Sequence, residues 1–516
     1  ERMLNKLGSL GGVFGQKDLH PLADARELKR ILDELPRDNA FRALDEIAGW
    51  FESLQATQEF APDRIYEVAR QLEEAAQPHL KRLSRDYLLT PRLTRADEKR
   101  LWSINFGFWK LLAGTYERCL AAVGEKNKAA EGLKAVLPAL CARLIGAYGA
   151  IIKWEQFHYG PTANELWRQM GHALLVAEAA GVAQKSVALG AQARLTSAWQ
   201  EFQRAMVFQA ASLDSLLPLE IELAERLVEH FLPHFWFTHE AERDSVYWVD
   251  LAVDQPPLRL ARMPQTLQPS QRFFKPGAAH SQILALLNIL EQTGDVPPEI
   301  NLGGQYYAKT MIPVVRHLAA YLAPIPPQRK HDRHRVKHRM SVLNGLVNAF
   351  VAFSGEFGGR PAGLQMESWV VENVSRGGFG VVLSNIPGEW LKVGALIAMQ
   401  PEGGENWLLG MVRRYHRIGD NEARVGIEAL ARQVTSVELK VRTASSYASV
   451  AGTPALLILD GNAPGEVRVV LPLASFDLRE SLEYTEDGQR QILTPVALVE
   501  QNSDFELARY RLSTIG

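Results

Sequence analysis

Positive charge is concentrated in one short segment of the chain. Residues 329–339 read Arg329-Lys-His-Asp-Arg333-His-Arg335-Val-Lys-His-Arg339, although the formal net charge of the whole chain is only −2. Arginine pairs with phosphate through parallel hydrogen bonds and also stacks on flat rings. The segment therefore predicts an arm that binds an anion with aromatic rings, such as a nucleotide. The alternatives for the segment alone are a solvated linker or a nonspecific nucleic-acid arm.

A second polar motif follows about forty residues later, at the end of a predicted strand. It reads Glu372-Asn-Val-Ser-Arg-Gly-Gly-Phe-Gly380. Because side chains alternate along a strand, Asn373 and Ser375 are expected on one face. The glycines permit close approach of a ligand or a positive φ angle. Taken alone, the segment could also be an ordinary turn, and Asn-Val-Ser matches the glycosylation motif.

Together the two motifs resemble the PilZ domain family. That family carries an Arg-x-x-x-Arg motif in the lead-in to its first strand and an Asp/Asn-x-Ser-x-x-Gly motif on a following strand. Asn373, Ser375 and Gly378 fill the second motif without a gap. The resemblance covers roughly residues 325–435. It implies an antiparallel β-barrel that binds the bacterial second messenger cyclic di-GMP through both motifs.

The arginine motif can be aligned in two ways. Arg329 with Arg333 and Arg335 with Arg339 both have the required spacing. We favour Arg329 and Arg333, because the following residues resemble the way family members enter their first strand. All four arginines are therefore candidate ligand-binding residues beside Asn373, Ser375 and Gly378.

Other segments both support the resemblance and depart from it. Residues 410–414 and 425–430 resemble the closing strands of the family. The Gly-rich stretch 354–363 makes the interval between the motifs longer than expected and predicts an extended loop. The strands predicted after residue 440 are additional, and no segment resembles the separate N-terminal barrel of the flagellar-brake members.

Length and composition predict an ordinary globular protein with several domains. The chain has 516 residues, 47% hydrophobic and 22% charged, which excludes a disordered or collagen-like protein. Single cores stop growing near roughly 250–300 residues, so about two to four domains are expected. Cys119 and Cys141 are expected to be small buried hydrophobic residues. With no apolar run of about 20 residues and no signal-peptide pattern, a soluble cytoplasmic protein is predicted.

The first half of the chain has the periodicity of amphipathic helices. From about residue 20 to 240, apolar residues recur at three- and four-residue steps, as in Leu22, Ala25, Leu28 and Leu32. The window Trp167–Leu174 has the spacing of a tetratricopeptide-type helix. No second copy follows at a period of about 34 residues, so an irregular helical array is predicted.

The second half reads mainly as β-structure. The prolines of residues 323–327 predict a linker. Beyond it, short segments separated by Gly- and Pro-containing turns predict antiparallel strands, the first over residues 341–353. The strands after about residue 440 form either a second small barrel or additions to the first, and the sequence leaves both possibilities open.

These patterns give a multidomain α+β fold, in which a mainly α-helical N-terminal array precedes a C-terminal PilZ-like antiparallel β-barrel with additional strands. We expect a helical domain over 1–322 that contains a β ribbon near 245–262. A Pro/Arg-rich linker and ligand-binding lead-in follows over 323–340, then the barrel over 341–440. Residues 441–516 hold the additional strands or second barrel.

Catalytic and metal sites are not predicted. The chain has no phosphate-binding loop, zinc-protease motif or nucleophile elbow. His331, His334 and His338 lie among cations without a nearby cysteine, which favours solvated or phosphate-facing histidines over a metal site. We therefore expect a protein that is not an enzyme and that needs no cofactor or metal.

The resulting functional hypothesis is a noncatalytic cyclic di-GMP receptor whose helical region engages an unidentified protein partner. In that hypothesis the arginine-rich lead-in, which connects the two regions, is ordered by the ligand. The main alternative is a ligand-independent scaffold with a degenerate barrel. A nucleic-acid-binding regulator is a third interpretation, and the nearly neutral chain does not favour it.

Overall fold

The computed structural model describes residues 20–515, apart from a set of short gaps within that range. The gaps are residues 58–59, 91–92, 124–127, 191–193, 262–265, 326, 328–331, 355–365, 389, 443–451 and 503. The predicted loop over 354–363 lies almost wholly outside the described residues, as does Arg329. Only Ser354 of that loop is described.

An array of packed helices forms the N-terminal region, as the apolar periodicity predicts. Side chains cap several helices where the sequence provides them: Thr94 accepts the N–H of Asp97, and Asn39 accepts that of Arg42. The helices are α1 (Ala25–Asp33), α2 (Ala40–Ala56), α3 (Pro62–Leu89), α4 (Arg95–Ala122), α5 (Lys128–Phe157), α6 (Glu165–Ala179), α7 (Ala198–Ala210), α8 (Pro218–Phe231), α9 (Ala279–Thr293) and α10 (Ala308–Tyr321).

The centre of this array is a continuous apolar core that includes large aromatic side chains. Trp154 and Trp167 are among the largest fully buried side chains. Cys119 and Cys141 are buried free thiols, as predicted, and burial raises the pKa of each to about 12. The segment Glu131–Phe157 is long and apolar enough to cross a membrane, but 67% of its most apolar window is buried inside the protein. Such burial is usual for a core helix.

Small sheets are inserted between the helices. A hairpin joins β1 (Val187–Leu189) to β2 (Arg194–Thr196). The predicted ribbon near 245–262 is part of a larger sheet with the strand order β3-β6-β4-β5, in which β4 and β5 pair antiparallel. Its strands are β3 (Trp236–Thr238), β4 (Tyr247–Asp250), β5 (Leu258–Arg259) and β6 (Gln271–Lys275).

Two closed six-stranded antiparallel barrels form the C-terminal region, which confirms the predicted order of a helical region followed by β-barrel structure. The strand order is β10-β11-β12-β9-β8-β7 in the first barrel and β13-β14-β15-β18-β17-β16 in the second. The strands after residue 440 thus complete a second barrel. The first barrel contains β7 (His334–Asn344), β8 (Glu367–Ser375), β9 (Gly378–Leu383), β10 (Leu396–Pro401), β11 (Leu408–Arg417) and β12 (Ala423–Ala431). The second contains β13 (Val434–Val441), β14 (Thr453–Ile458), β15 (Glu466–Pro472), β16 (Leu482–Glu486), β17 (Gln489–Gln501) and β18 (Phe505–Ile515).

The prediction of a strand over residues 341–353 is wrong beyond Asn344. There Gly345 takes a φ of +77° and turns the chain into helix α11, Gly345–Phe353. Leu346 and Ala349 of this helix pack between the two barrels. A short apolar run fits a buried strand and a buried helix equally well, so periodicity alone could not distinguish them. The first strand instead begins at His334, within the arginine-rich segment.

The first barrel packs directly on the helical region. The carbonyl of Tyr159, just after α5, accepts the backbone N–H of Arg417 in β11 at 2.9 Å. The rings of Tyr159 and Tyr415 lie 5.4 Å apart between centroids. Apolar residues of the helical core and of the barrel interior, including Trp369 and Val381, belong to one continuous cluster. The barrel is therefore held in a defined position against the helices.

A buried carboxyl near this contact makes stability depend on pH. Burial of Glu155 raises its pKa from an ordinary value of 4.5 to about 7, so the folded protein favours the protonated carboxyl. This contribution to stability is complete below about pH 4.5 and is lost as the pH rises to about 7. Relative to the unchanged protein, Glu155→Gln should therefore gain up to about 3 kcal/mol in the free energy of unfolding between pH 5 and pH 8.

Denaturant unfolding of both proteins at the two pH values measures this gain. The neighbouring His158, whose pKa burial and Arg417 lower to about 4, has the opposite pH dependence, but it is present in both proteins and cancels in the comparison. A difference between the two proteins that does not change with pH would contradict the assignment to Glu155.

Candidate functional site

One row of residues crosses five strands of the first barrel on its outer surface. The strand register places Arg335, Asn373, Gly380, Gly426 and Arg414 side by side in that order, on β7, β8, β9, β12 and β11. We call these five residues the cross-strand row. Residues that oppose one another on neighbouring strands share a face of the sheet.

That face is the outside of the barrel. Val381 on β9 opposes Val371 and Val425, and all three are buried in the core. Because alternation turns adjacent residues to opposite faces, Gly380 and Gly426 face outward. A register shift between Val371 and the next paired residue of β8 brings Asn373 onto the same outer face.

Asn373 carries an unsatisfied hydrogen-bonding atom at the centre of the row. Its side chain lies over Gly380, where any Cβ would overlap the amide group. Its Oδ1 is buried and has no hydrogen-bond partner among the described residues. A buried amide oxygen without a partner is costly, so a rotation of the Asn373 side chain that brings this oxygen to a donor of a bound ligand would be favourable.

Ser375 and Gly378 close the turn at the end of the same face. The two residues oppose each other across β8 and β9, and the Ser375 hydroxyl donates to the Gly378 carbonyl at 3.4 Å. Gly378 lies so close to β12 that a Cβ would overlap the carbonyl oxygen of Ile427. Packing between strands therefore requires glycine at this position, independently of any ligand.

The structure brings two of the predicted arginines close to these residues. Arg335 directly opposes Asn373, and Arg333 precedes β7 by one residue. Continuing the register by that residue places Arg333 beside Ser375, and both arginine side chains are exposed. The end of the outer face thus presents positive charge next to a neutral amide and a hydroxyl.

Arg339, a third predicted arginine, lies at a different place on β7. Arg339 opposes Val370, four residues along β7 from Arg335, and its guanidinium donates to Ser368 at 3.2 Å. It is therefore directed to the opposite end of the strand and is not brought together with Ser375. Arg329 lies outside the described residues.

Sequence reasoning missed the far end of the row. The aliphatic stem of Arg414 lies over Gly426, with its Cβ 3.2 Å from where a Cβ of that glycine would be. The lack of a side chain at Gly380 and Gly426 thus leaves room for the side chains of Asn373 and Arg414, which cover these two glycines. The pattern Gly410–Arg414 was visible as a closing strand, but its bulge between Val412 and Arg414 was not, and that bulge determines which arginine joins the row.

A cleft of about 850 Å³ lies elsewhere, at the junction of α11 and the two barrels. Trp407 and Arg432 are among the residues that line it, and no residue of the cross-strand row does. We take the outer face as the candidate site because it contains the motif residues. Its guanidinium groups, amide and hydroxyl suit a negatively charged ligand with flat rings.

Comparison with known proteins adds an independent finding for the other half of the chain. Residues 26–242 match the family model described as the N-terminal domain of the cyclic-di-GMP receptor FimW. The match spans the helical array from α1 to α8 and does not extend to the barrels. No curated protein matches the sequence significantly.

Proposed function

We propose that the chain is a noncatalytic cyclic di-GMP receptor whose first barrel is a PilZ-like ligand-binding domain. The observation that carries the proposal is the juxtaposition of Arg335 with Asn373, whose amide oxygen has no partner among the described residues. The similarity of the helical region to a cyclic-di-GMP receptor's N-terminal domain supports it independently. As an effector of this messenger, the protein would act in the bacterial cytoplasm.

The chemistry of the ligand fits the residues of the face. Arg333 and Arg335 would neutralise the phosphodiesters and stack on the guanines or bind their O6 and N7 atoms. Guanine N–H groups would donate to the Asn373 oxygen, and Ser375 would add a neutral hydrogen bond. Arg329 completes the favoured Arg-x-x-x-Arg motif in this proposal, whereas Arg339 lies too far along β7 to take part.

The expected affinity is sufficient for signalling. Charged hydrogen bonds contribute roughly 1.5–3 kcal/mol each and base stacking roughly 1–3 kcal/mol per base. After the costs of ordering, these contacts leave room for the approximately 8 kcal/mol of micromolar binding. We further propose that the helical region transmits the bound state to a protein partner.

Calorimetric titration of the full chain with cyclic di-GMP tests the proposal. The unchanged protein should bind, Arg333→Ala should bind at least about tenfold more weakly, and Ser375→Ala about threefold more weakly. Arg479→Ala is a matched control, because it removes an exposed arginine from the loop that precedes β16 in the second barrel.

Two other outcomes would be informative. If the unchanged protein and the three variants bind cyclic di-GMP with equal affinity, the ligand does not bind at this face. Absence of binding by the unchanged protein would contradict the receptor function and favour the ligand-independent scaffold.

A further inference from the structure

Arg414 is shared between the candidate ligand face and the helical region. Its stem lies on the outer face over Gly426, one strand away from Gly380 and the Asn373 amide. Its guanidinium, however, donates to the hydroxyl of Tyr321 and lies 5.4 Å from the centre of that ring. Tyr321 is the last residue of α10, so this contact joins the face to the helical region.

The helical side of this contact is firmly anchored. The Tyr321 carbonyl accepts the hydroxyl of Tyr247 at 2.6 Å, and its ring stacks on His317 at 4.3 Å between centroids. Asp214, in a short turn before α8, places a carboxylate oxygen 4.0 Å from the Arg414 guanidinium. Tyr321 therefore holds Arg414 from a fixed framework, and Asp214 adds electrostatic attraction.

Arg414 itself remains accessible to a ligand on the outer face of the barrel. The side chain is 45% exposed, and the 4.0 Å separation from Asp214 is too long for a direct hydrogen bond. Its chain neighbour Arg413 is bound differently, by Glu428 of β12 and Glu500 of the second barrel. Of these two consecutive arginines, only Arg414 belongs to the cross-strand row.

We propose that Arg414 is a further ligand-binding residue of this face, which the helical region holds in the ligand-free protein and releases when the ligand binds. The proposal rests on the proposed cyclic di-GMP function and adds its regulation. A phosphate is a stronger partner for a guanidinium than a phenol is, because both partners are then charged. Ligand binding would thus replace the Tyr321 and Asp214 contacts and loosen α10 from the barrel.

Thermodynamic linkage predicts whether each variant should bind cyclic di-GMP more tightly or more weakly. If the helical region and the ligand compete for Arg414, weakening the helical contact must strengthen ligand binding. Tyr321→Phe, which removes only the competing hydroxyl, should bind cyclic di-GMP about threefold more tightly. Asp214→Asn should act in the same direction. Arg414→Ala should bind about tenfold more weakly, since a charged hydrogen bond is lost.

Calorimetry on the full chain with these variants separates the proposal from a purely structural contact. Arg414→Ala combined with Tyr321→Phe should bind like Arg414→Ala alone, because Tyr321 acts through Arg414. Arg424→Ala is the matched control, an exposed arginine two positions from Gly426 on β12, and should bind like the unchanged protein. Arg414→Lys keeps the charge if the alanine variant misfolds, and it should also bind more weakly, because it lacks the planar fork.

The outcomes also distinguish this inference from the proposed function. Suppose that the unchanged protein binds cyclic di-GMP. If Arg414→Ala and Arg414→Lys then bind it as tightly as the unchanged protein, the proposed role of Arg414 is wrong and the receptor function stands. The same conclusion follows if Tyr321→Phe binds it more weakly. If the unchanged protein does not bind cyclic di-GMP, both are overturned.

Discussion

Gly380→Ala should weaken cyclic di-GMP binding by about tenfold or more while the barrel stays folded. A Cβ at position 380 would overlap the amide of Asn373, which is a side-chain group and can rotate away. The rotation would move the Asn373 amide away from its place over Gly380, and a methyl group would occupy that place. Calorimetry gives the loss of affinity, and circular dichroism shows whether the fold is retained.

Two other glycines of the same barrel are controls for this effect. Gly378→Ala should lower the free energy of unfolding by about 3 kcal/mol, because its Cβ would overlap the backbone of β12, which cannot rotate away. A Cβ at Gly419 would meet no atom of the described residues within 4 Å, so Gly419→Ala should change neither affinity nor stability. Unchanged binding by Gly380→Ala would exclude the Asn373 amide from the site.

Gly171→Ala should have the largest effect on the stability of the helical region. This glycine of α6 is buried against the backbone of Leu251, just after β4, and an added Cβ would overlap its carbonyl oxygen. Helix and sheet would have to separate locally, at a cost of about 3 kcal/mol. Denaturant unfolding, monitored by tryptophan fluorescence, measures the change.

The same substitution elsewhere in the array should have the opposite sign. Gly107 lies within α4, and a Cβ added there would meet nothing within 4 Å in the part of the chain that the structure describes. Alanine there gains roughly 0.5–1 kcal/mol of helix propensity, so Gly107→Ala should be slightly more stable than the unchanged protein. If both variants are destabilised equally, the close approach of Gly171 to Leu251 is not the cause.

Local patterns in the sequence were sufficient to place a helical region before the β-barrel structure, because apolar periodicity reflects which face of each element is buried. The same patterns failed at residues 345–353, where a short apolar run is a helix between two barrels. They also left open the closure of the second barrel. Closure depends on pairing between β13 and β16, which are separated by two intervening strands and whose contact has no local signature.

For the candidate site, motif spacing indicated that Asn373 and Ser375 lie on one strand. The strand register shows in addition which arginines lie beside them. Arg335 opposes Asn373 because of a register shift within β7, and Arg414 reaches the same row because of another within β11. Each shift inserts one residue and exchanges inner and outer faces. Without knowledge of these bulges, neither the choice among the arginines nor the role of Gly380 and Gly426 could be derived.

A crystal structure of the full chain grown with cyclic di-GMP tests the central claim most directly. We expect the ligand on the outer face of the first barrel, with a guanine donating to the Asn373 oxygen and its phosphates bound by Arg333 and Arg335. A ligand bound instead in the cleft between the barrels, or anywhere out of reach of Asn373, would contradict the account.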